Sequence, residues 1–410
     1  MSIESISRRP PSLRELLADL GPVYAVNGLI GFIFAATGPL AILMSIGSEG
    51  GLSQAQIASW VFGCFGINGV LSMLASWYYR MPLTFFWTIP GAVLVGAALQ
   101  HLSFAQVVGA YLVCGLLMLV LGFSGWVRRL MQALPMPIVM GMVAGVFMRF
   151  GVDLIYALRD NLPLAGPMVV TFLLLSVLPL GRRFPPLFAA ILVGIVIIIA
   201  QGSFDVSGMR GAAFAQPVLQ APEFTWQAIF ELVVPLAITV LIVQNGQGFA
   251  VLDAVGHKAP INMATVGCGL WSLLTACVGS VSTCLAGPTN AMISSGGEKS
   301  RHYIGGMLVG LLAIGFGLFS PLFTKLMLSS PKAFVATVAG LAMLRVLQTA
   351  FTISFRDRFT LGALIAFLVT VANVPIFNIG AAFWGLVFGY LCSRLLEPAD
   401  FKKSGADSAS

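Results

Sequence analysis

Two proline-centred interruptions inside apolar segments constrain this chain more than any other feature. The first reads Phe85-Phe86-Trp87-Thr88-Ile89-Pro90-Gly91 and the second Thr283-Cys284-Leu285-Ala286-Gly287-Pro288-Thr289-Asn290. Each places β-favouring or small residues first, then a proline, then a short apolar, helix-like run. A lipid bilayer tolerates irregular backbone only where it is buried in protein or lines a cavity. Interrupted segments at matching places in two halves mark where a solute binds in repeat-built membrane proteins.

Composition places the chain in a membrane. Apolar residues make up 58% and charged residues 9%, with a mean hydropathy of +0.95, against roughly 25% charge in soluble domains. Several runs exceed the roughly 20 apolar residues that span a bilayer. The net charge of +7 is scattered through short loops, which argues against a nucleic-acid surface. The N-terminal stretch holds Arg8, Arg9, Pro10, Pro11 and Arg14, and the apolar run after it is too long for the core of a cleavable signal. The six cysteines lie mostly in apolar segments without metal-type spacing, so neither a disulfide framework nor a metal site is expected.

Fourteen hydrophobic segments are expected, near 22–47, 57–77, 83–99, 104–123, 130–151, 165–180, 186–201, 225–250, 262–279, 282–296, 302–322, 331–351, 359–373 and 377–396. The third and tenth are short, as an interrupted span requires. The connection 202–224, rich in Gly and Pro, reads as an external linker between halves, and 397–410 as a polar cytoplasmic tail. With a cytoplasmic N-terminus, alternation through fourteen passes puts 16 of the 22 basic residues inside and four outside, Arg149 and Arg345 falling within segments. That bias fits the positive-inside rule and puts both termini in the cytoplasm. Val143-Ala144-Gly145 with Arg149 matches Val338-Ala339-Gly340 with Arg345, Arg159-Asp160 matches Arg356-Asp357, and Pro90 matches Pro288, all at nearly one offset. Seven segments per half make the second copy upside down. The expected fold is therefore an all-α polytopic membrane protein of 14 transmembrane segments in two inverted seven-segment repeats, with short strands and half-helices in segments 3 and 10.

A proline suits the first turn of a helix. Half-helices starting at Pro90 and Pro288 would aim free N–H groups, and the positive end of the helix dipole, at mid-membrane, an anion site without Lys or Arg. Two proline kinks in long helices are the plainer alternative. Segment 1 carries Asn27 and the break Thr37-Gly38-Pro39. Segment 8 carries Gln244-Asn245-Gly246-Gln247-Gly248. Buried amides need partners in hydrocarbon, so these line a substrate cavity or join helices as polar contacts. With Thr289 and Asn290 they can donate to a carboxylate. Phe85, Phe86 and Trp87 would form an aromatic wall, with lipid-facing packing the alternative for at least one of them. Asp253 is the one protein candidate for a proton carrier, or else a helix-end partner at the cytoplasmic mouth. Glu231 reads as an acid favoured near its helix start, and His101, His257 and His302 as solvated loop residues. Arg149 and Arg345 read as snorkelling or interface-pairing residues. No nucleotide loop, catalytic triad or metal motif is visible, so no enzyme activity, cofactor or metal is expected.

The stretches Gly31–Leu40, Thr88-Ile89-Pro90-Gly91, Gln244–Gly248 and Ala286–Asn290 together resemble the BenE family of benzoate transporters over about 20–396, and more distantly the nucleobase/ascorbate and sulfate permeases. The resemblance implies a core (transport) domain of 22–129 and 225–322 and a gate (scaffold) domain of 130–201 and 323–396, flanked by an N-terminal segment 1–21, moving like an elevator. From the interrupted segments and the polar residues beside them, the expected substrate site is Thr37, Gly38, Phe86, Trp87, Thr88, Pro90, Gly91, Gln244, Asn245, Gln247, Gly287, Pro288, Thr289 and Asn290. Nucleobase permeases carry acids on segment 8 and at the head of segment 10. Amides and small residues stand there instead, which favours an aromatic carboxylate over a ring N–H donor. The expected partners are benzoate or a similar acid, a proton and the lipid bilayer of a bacterial inner membrane, with a homodimer left open. Another organic anion or a nucleobase as cargo, or a channel or anion sensor on the same fold, are the alternatives.

Overall fold

The computed structural model describes residues 3–6, 9–127, 135–178, 185–202, 213–374, 376 and 381–401. Part of the expected linker (203–212), the tail beyond 401, and the basic residues Arg8, Arg128, Arg129, Arg182, Arg183, Arg210, Lys402 and Lys403 lie outside the described residues.

The described chain is mostly helical: α1 Leu13–Asp19, α2 Pro22–Ala36, α3 Gly38–Glu49, α4 Gln54–Tyr79, α5 Ile89–Ala98, α6 Phe104–Ser124, α7 Met136–Asp160, α8 Leu162–Val177, α9 Pro186–Ala200, α10 Trp226–Ala254, α11 Ile261–Ala276, α12 Gly287–Ile293, α13 His302–Leu318, α14 Ser320–Leu328, α15 Lys332–Phe355, α16 Thr360–Ala372 and α17 Ala381–Leu396. Two strands, β1 (Phe85–Trp87) and β2 (Thr283–Leu285), lie just before α5 and α12. Seven helical stretches among the described residues are long and apolar enough to cross a membrane, Pro22–Glu49 counting as one despite its break. This is a multi-pass membrane protein.

Local chemistry sets many of these ends. Ser53 and Ser103 start α4 and α6 with reciprocal capping boxes to Gln56 and Gln106. Thr37, at φ −103° and ψ −91°, breaks segment 1 where Pro39 removes a backbone donor. Two helices were not expected. α1 is nucleated by a Ser12–Glu15 capping box; the Ser12 hydrogen bonds, with Arg80 and Arg9 nearby, pull the Glu15 carboxyl down to about 2. The segment expected at 302–322 stops at Leu318, and Ser320-Pro321 starts the separate α14. π-helical turns interrupt α4 at Phe62–Ile67 and α10 at Ile229–Val233 and Thr239–Gln244. Such turns often accompany functional sites.

Packing divides the helices into two groups. α7 packs along α15 and α16, α16 along α17, and α8 along α9; α6 packs along α11, α13 along α4 and α2, and α12 along α2 and α10. The groups meet mainly where α3 crosses α15 and α5 touches α7. Gly38 makes the first crossing possible, because a Cβ there would stand 2.2 Å from Cβ of Ala342. Arg149 of α7 pairs with Glu49 at the end of α3, and lies 3.5 Å from Asp153. The interface role expected of Arg149 is thus the one it takes. Arg345 contacts Gln348 on its own helix at 3.1 Å.

Candidate functional site

The two interruptions meet. β1 and β2 pair antiparallel, Phe85 opposite Leu285, Phe86 opposite Cys284 and Trp87 opposite Thr283. A two-stranded sheet inside a helical membrane protein has outer edges whose amides need partners. Side chains supply them. Ser72 accepts from the N–H of Phe85 at 2.7 Å and Ser76 from that of Leu83 at 3.2 Å. Ser272 accepts from Thr283 at 2.9 Å, Asn245 Oδ1 from Leu285 at 2.7 Å, and Asn290 Oδ1 from Thr84 at 3.0 Å. Thr283 donates its hydroxyl to Asn68 Oδ1 at 2.8 Å. Ser72, Ser76, Ser272 and Asn68 were not anticipated, since an isolated serine in an apolar helix reads as a packing residue.

The half-helix reading holds for both segments, but their heads differ. Thr88 caps α5: its hydroxyl accepts from Gly91 N–H at 3.2 Å and donates to Thr239 at 3.1 Å. Pro90 has no N–H, so the head of α5 has fewer donors than the sequence implied. Gly91 is packed tightly, a Cβ there falling 2.8 Å from Leu236. No side chain caps α12. Pro288 is part-buried and Thr289 is 2% exposed, its methyl facing Gly31 of α2.

The amides of α10 divide by role. Asn245 is fully buried and spent on β2, a polar contact between elements. Gln244 is 8% exposed, and its side chain hydrogen-bonds no other described residue. Gln247 is exposed and lies across the head of α12, its Cγ 2.8 Å from where a Cβ on Gly287 would be. Asn290 combines both roles. Its oxygen is held by the backbone and hydroxyl of Thr84, which fixes the amide orientation, and its Nδ2 is buried with no partner among the described residues. Such a donor costs about 1–3 kcal/mol.

The aromatic wall is internal: Phe85, Phe86 and Trp87 are 0%, 4% and 3% exposed, which removes the lipid-facing alternative. Phe65, on the π turn of α4, reaches Phe86 at 5.6 Å, Trp87 at 4.8 Å and Phe316 of α13 at 4.6 Å. Of the remaining expected site residues, Thr37 bonds back to Phe34 and Gly38 faces α15 rather than the sheet. Asp253 is exposed near the end of α10. A groove of about 530 Å³ lies elsewhere, between α1, α4 and α13, with an almost wholly apolar lining that includes Leu13, Leu74, Trp77 and Met307.

The histidines depart from expectation. His257 and His302 are buried, their rings in contact at 3.3 Å. Burial, with His302 and Lys299 close by, pushes the His257 imidazole down to about 4, so it is neutral at physiological pH. His101 contacts Glu231 at 2.9 Å, and Glu231, near the start of α10 as expected, is 5% exposed. Partners 130 residues apart leave no local signal.

A membrane protein with two broken segments crossing at a short sheet belongs to a recognisable structural class. The transmembrane domain of a cyanobacterium bicarbonate transporter, BicA, aligns with a TM-score of 0.60 at 16% identity, over 93% of this chain and 99% of that one. SLC26A9 aligns at 0.62 and 13%, over 96% of this chain and 72% of that one. At such identities the likeness concerns the fold. Residues 18–395 match the model of the benzoate membrane transport protein family, BenE, and the chain belongs to that family. Inner membrane protein YdcO of Escherichia coli is 28% identical over 388 residues, 93% of this chain and 97% of that protein. A benzoate membrane transport protein of Acinetobacter baylyi is 28% identical over 393 residues, 94% and 98% of the two. The family is one of membrane transport proteins, not enzymes.

Proposed function

We propose that this chain is a secondary carrier that brings benzoate, or a closely similar aromatic carboxylate, across a bacterial inner membrane together with a proton. The observation that carries the reading is Asn290. Its oxygen is pinned beside the strand pair and its buried Nδ2 has no partner among the described residues, beside the uncapped head of α12 over which Gln247 lies. A carboxylate oxygen would satisfy that donor, Gln247 and Gln244 would add further N–H groups, and Phe86 and Trp87 would flank the ring. No Asp or Glu stands among these residues to repel an anion. The family and the named relatives favour the same cargo.

The architecture proposed around the site is fourteen crossings in two inverted repeats with both termini cytoplasmic. The antiparallel meeting of β1 and β2 supports an inverted relation between the halves. The two packing groups support a division into a core of 22–129 and 225–322 and a gate of 130–201 and 323–396, joined by 202–224, although α14 packs on α4 and α3. The core slides against the gate as an elevator, and the Arg149–Glu49 pair is one contact that must open.

A thermal-shift screen of the purified protein tests the cargo. Benzoate and ring-substituted benzoates raise the melting temperature in a saturable way, and uracil does not. Stabilisation by a nucleobase, with no response to any aromatic acid, reverses the assignment.

A further inference from the structure

We propose that the His101–Glu231 pair is the site where the co-transported proton binds; this rests on reading the chain as a proton-coupled carrier. Glu231 is the one buried acid among the described residues, with 4% of its side chain exposed. Its partner His101 is 36% exposed, so the imidazole joins a sealed carboxylate to the solvent side. A proton can thus pass from outer water to the imidazole and on to the carboxylate.

The placement links the pair to the substrate site. His101 follows the end of α5, whose head is at Pro90, and Glu231 lies in the first π turn of α10, which continues to Gln244 and Gln247. The pair therefore clasps the far ends of the two elements that carry substrate-facing residues. Taking up a proton adds one unit of positive charge at the pair, which favours loading an anion into the same body. Proton and carboxylate then favour each other's binding.

The elements packed against the Glu231 turn are α5, α6 and the flanking turns of α10. Their titratable side chains are Tyr111 and Cys114, both fully buried on α6. Glu223, before α10, is exposed. On the His101 side, Gln100 reaches the carbonyl of Glu49 at 3.5 Å, and the Glu49 carboxylate is held by Arg149, which Asp153 also contacts.

Glu231→Gln and His101→Gln, reconstituted in proteoliposomes, are compared in two assays: benzoate–benzoate exchange at equal pH, and accumulation driven by a one-unit pH gradient, with protein-free vesicles subtracted. The wild type accumulates about tenfold. Glu231→Gln is expected to lose accumulation to a ratio near unity while exchange falls far less. His101→Gln is expected to flatten the dependence of uptake rate on external pH. Wild-type accumulation in Glu231→Gln overturns the proposal, as does equal loss of both activities in a folded protein. If Glu231→Gln does not fold, an unchanged pH profile in His101→Gln overturns it. Absence of benzoate exchange in the wild type would instead defeat the carrier reading itself.

Discussion

Replacing Gly287 by Trp is expected to abolish benzoate binding and uptake while leaving a monodisperse protein. A Cβ at Gly287 would stand 2.8 Å from Cγ of Gln247 and 3.1 Å from the backbone nitrogen of Gly248. The nearer neighbour is the stem of an exposed side chain, which can swing aside, so Gly287→Ala should keep most of its affinity. An indole cannot be housed that way. It must occupy the space over the head of α12, where the carboxylate is proposed to sit. The expected loss is at least about 100-fold in Kd, about 2.7 kcal/mol, read by isothermal calorimetry or ligand-induced melting shifts. Unchanged affinity in the Trp variant would put the site elsewhere.

Asn290→Ala should damage stability and binding together, and Gln247→Ala binding alone. Removing the Asn290 amide strands the N–H and hydroxyl of Thr84 in a dry interior, at about 1–3 kcal/mol for each donor left without a partner. The relief of the orphaned Nδ2 offsets part of that. The melting temperature in detergent should fall by several degrees. Gln247 is exposed and holds no strand, so its truncation should leave melting unchanged and weaken benzoate by roughly 1–3 kcal/mol, roughly 5- to 150-fold. If Gln247→Ala melts early and Asn290→Ala does not, the division of labour among these amides is wrong.

The broken segments were legible because proline, β-favouring residues and apolar flanks act locally. Phe85–Trp87 and Thr283–Leu285 extend, Pro90 and Pro288 begin helices, and no distant partner is needed to read either fact. The sheet that joins them was less legible, because its support is assembled from Ser72, Ser272, Asn68 and Asn245 on other helices. In a sequence the amides of Gln244, Asn245 and Gln247 look alike. Only packing separates Asn245, spent on Leu285, from Gln247, which is exposed. The Glu231–His101 pair was missed for the same reason of distance. α1 was readable in principle: Ser12-Leu13-Arg14-Glu15 is a capping-box pattern ahead of leucines. It was masked by the prolines and arginines just before it.

The central claim is that benzoate and a proton move together through this protein. Carrying an anion inward against an inside-negative potential costs about 2.3 kcal/mol per 100 mV, and a companion proton removes that cost. The direct test is labelled benzoate uptake into proteoliposomes under an imposed pH gradient, acid outside. Protein-free vesicles run alongside, since a neutral carboxylic acid crosses lipid unaided. The account predicts a saturable, protein-dependent accumulation that a protonophore collapses when the pH gradient is the sole driving force. Accumulation driven by a sodium gradient at equal pH, or protein-dependent flux that only equilibrates benzoate and never saturates, would contradict it.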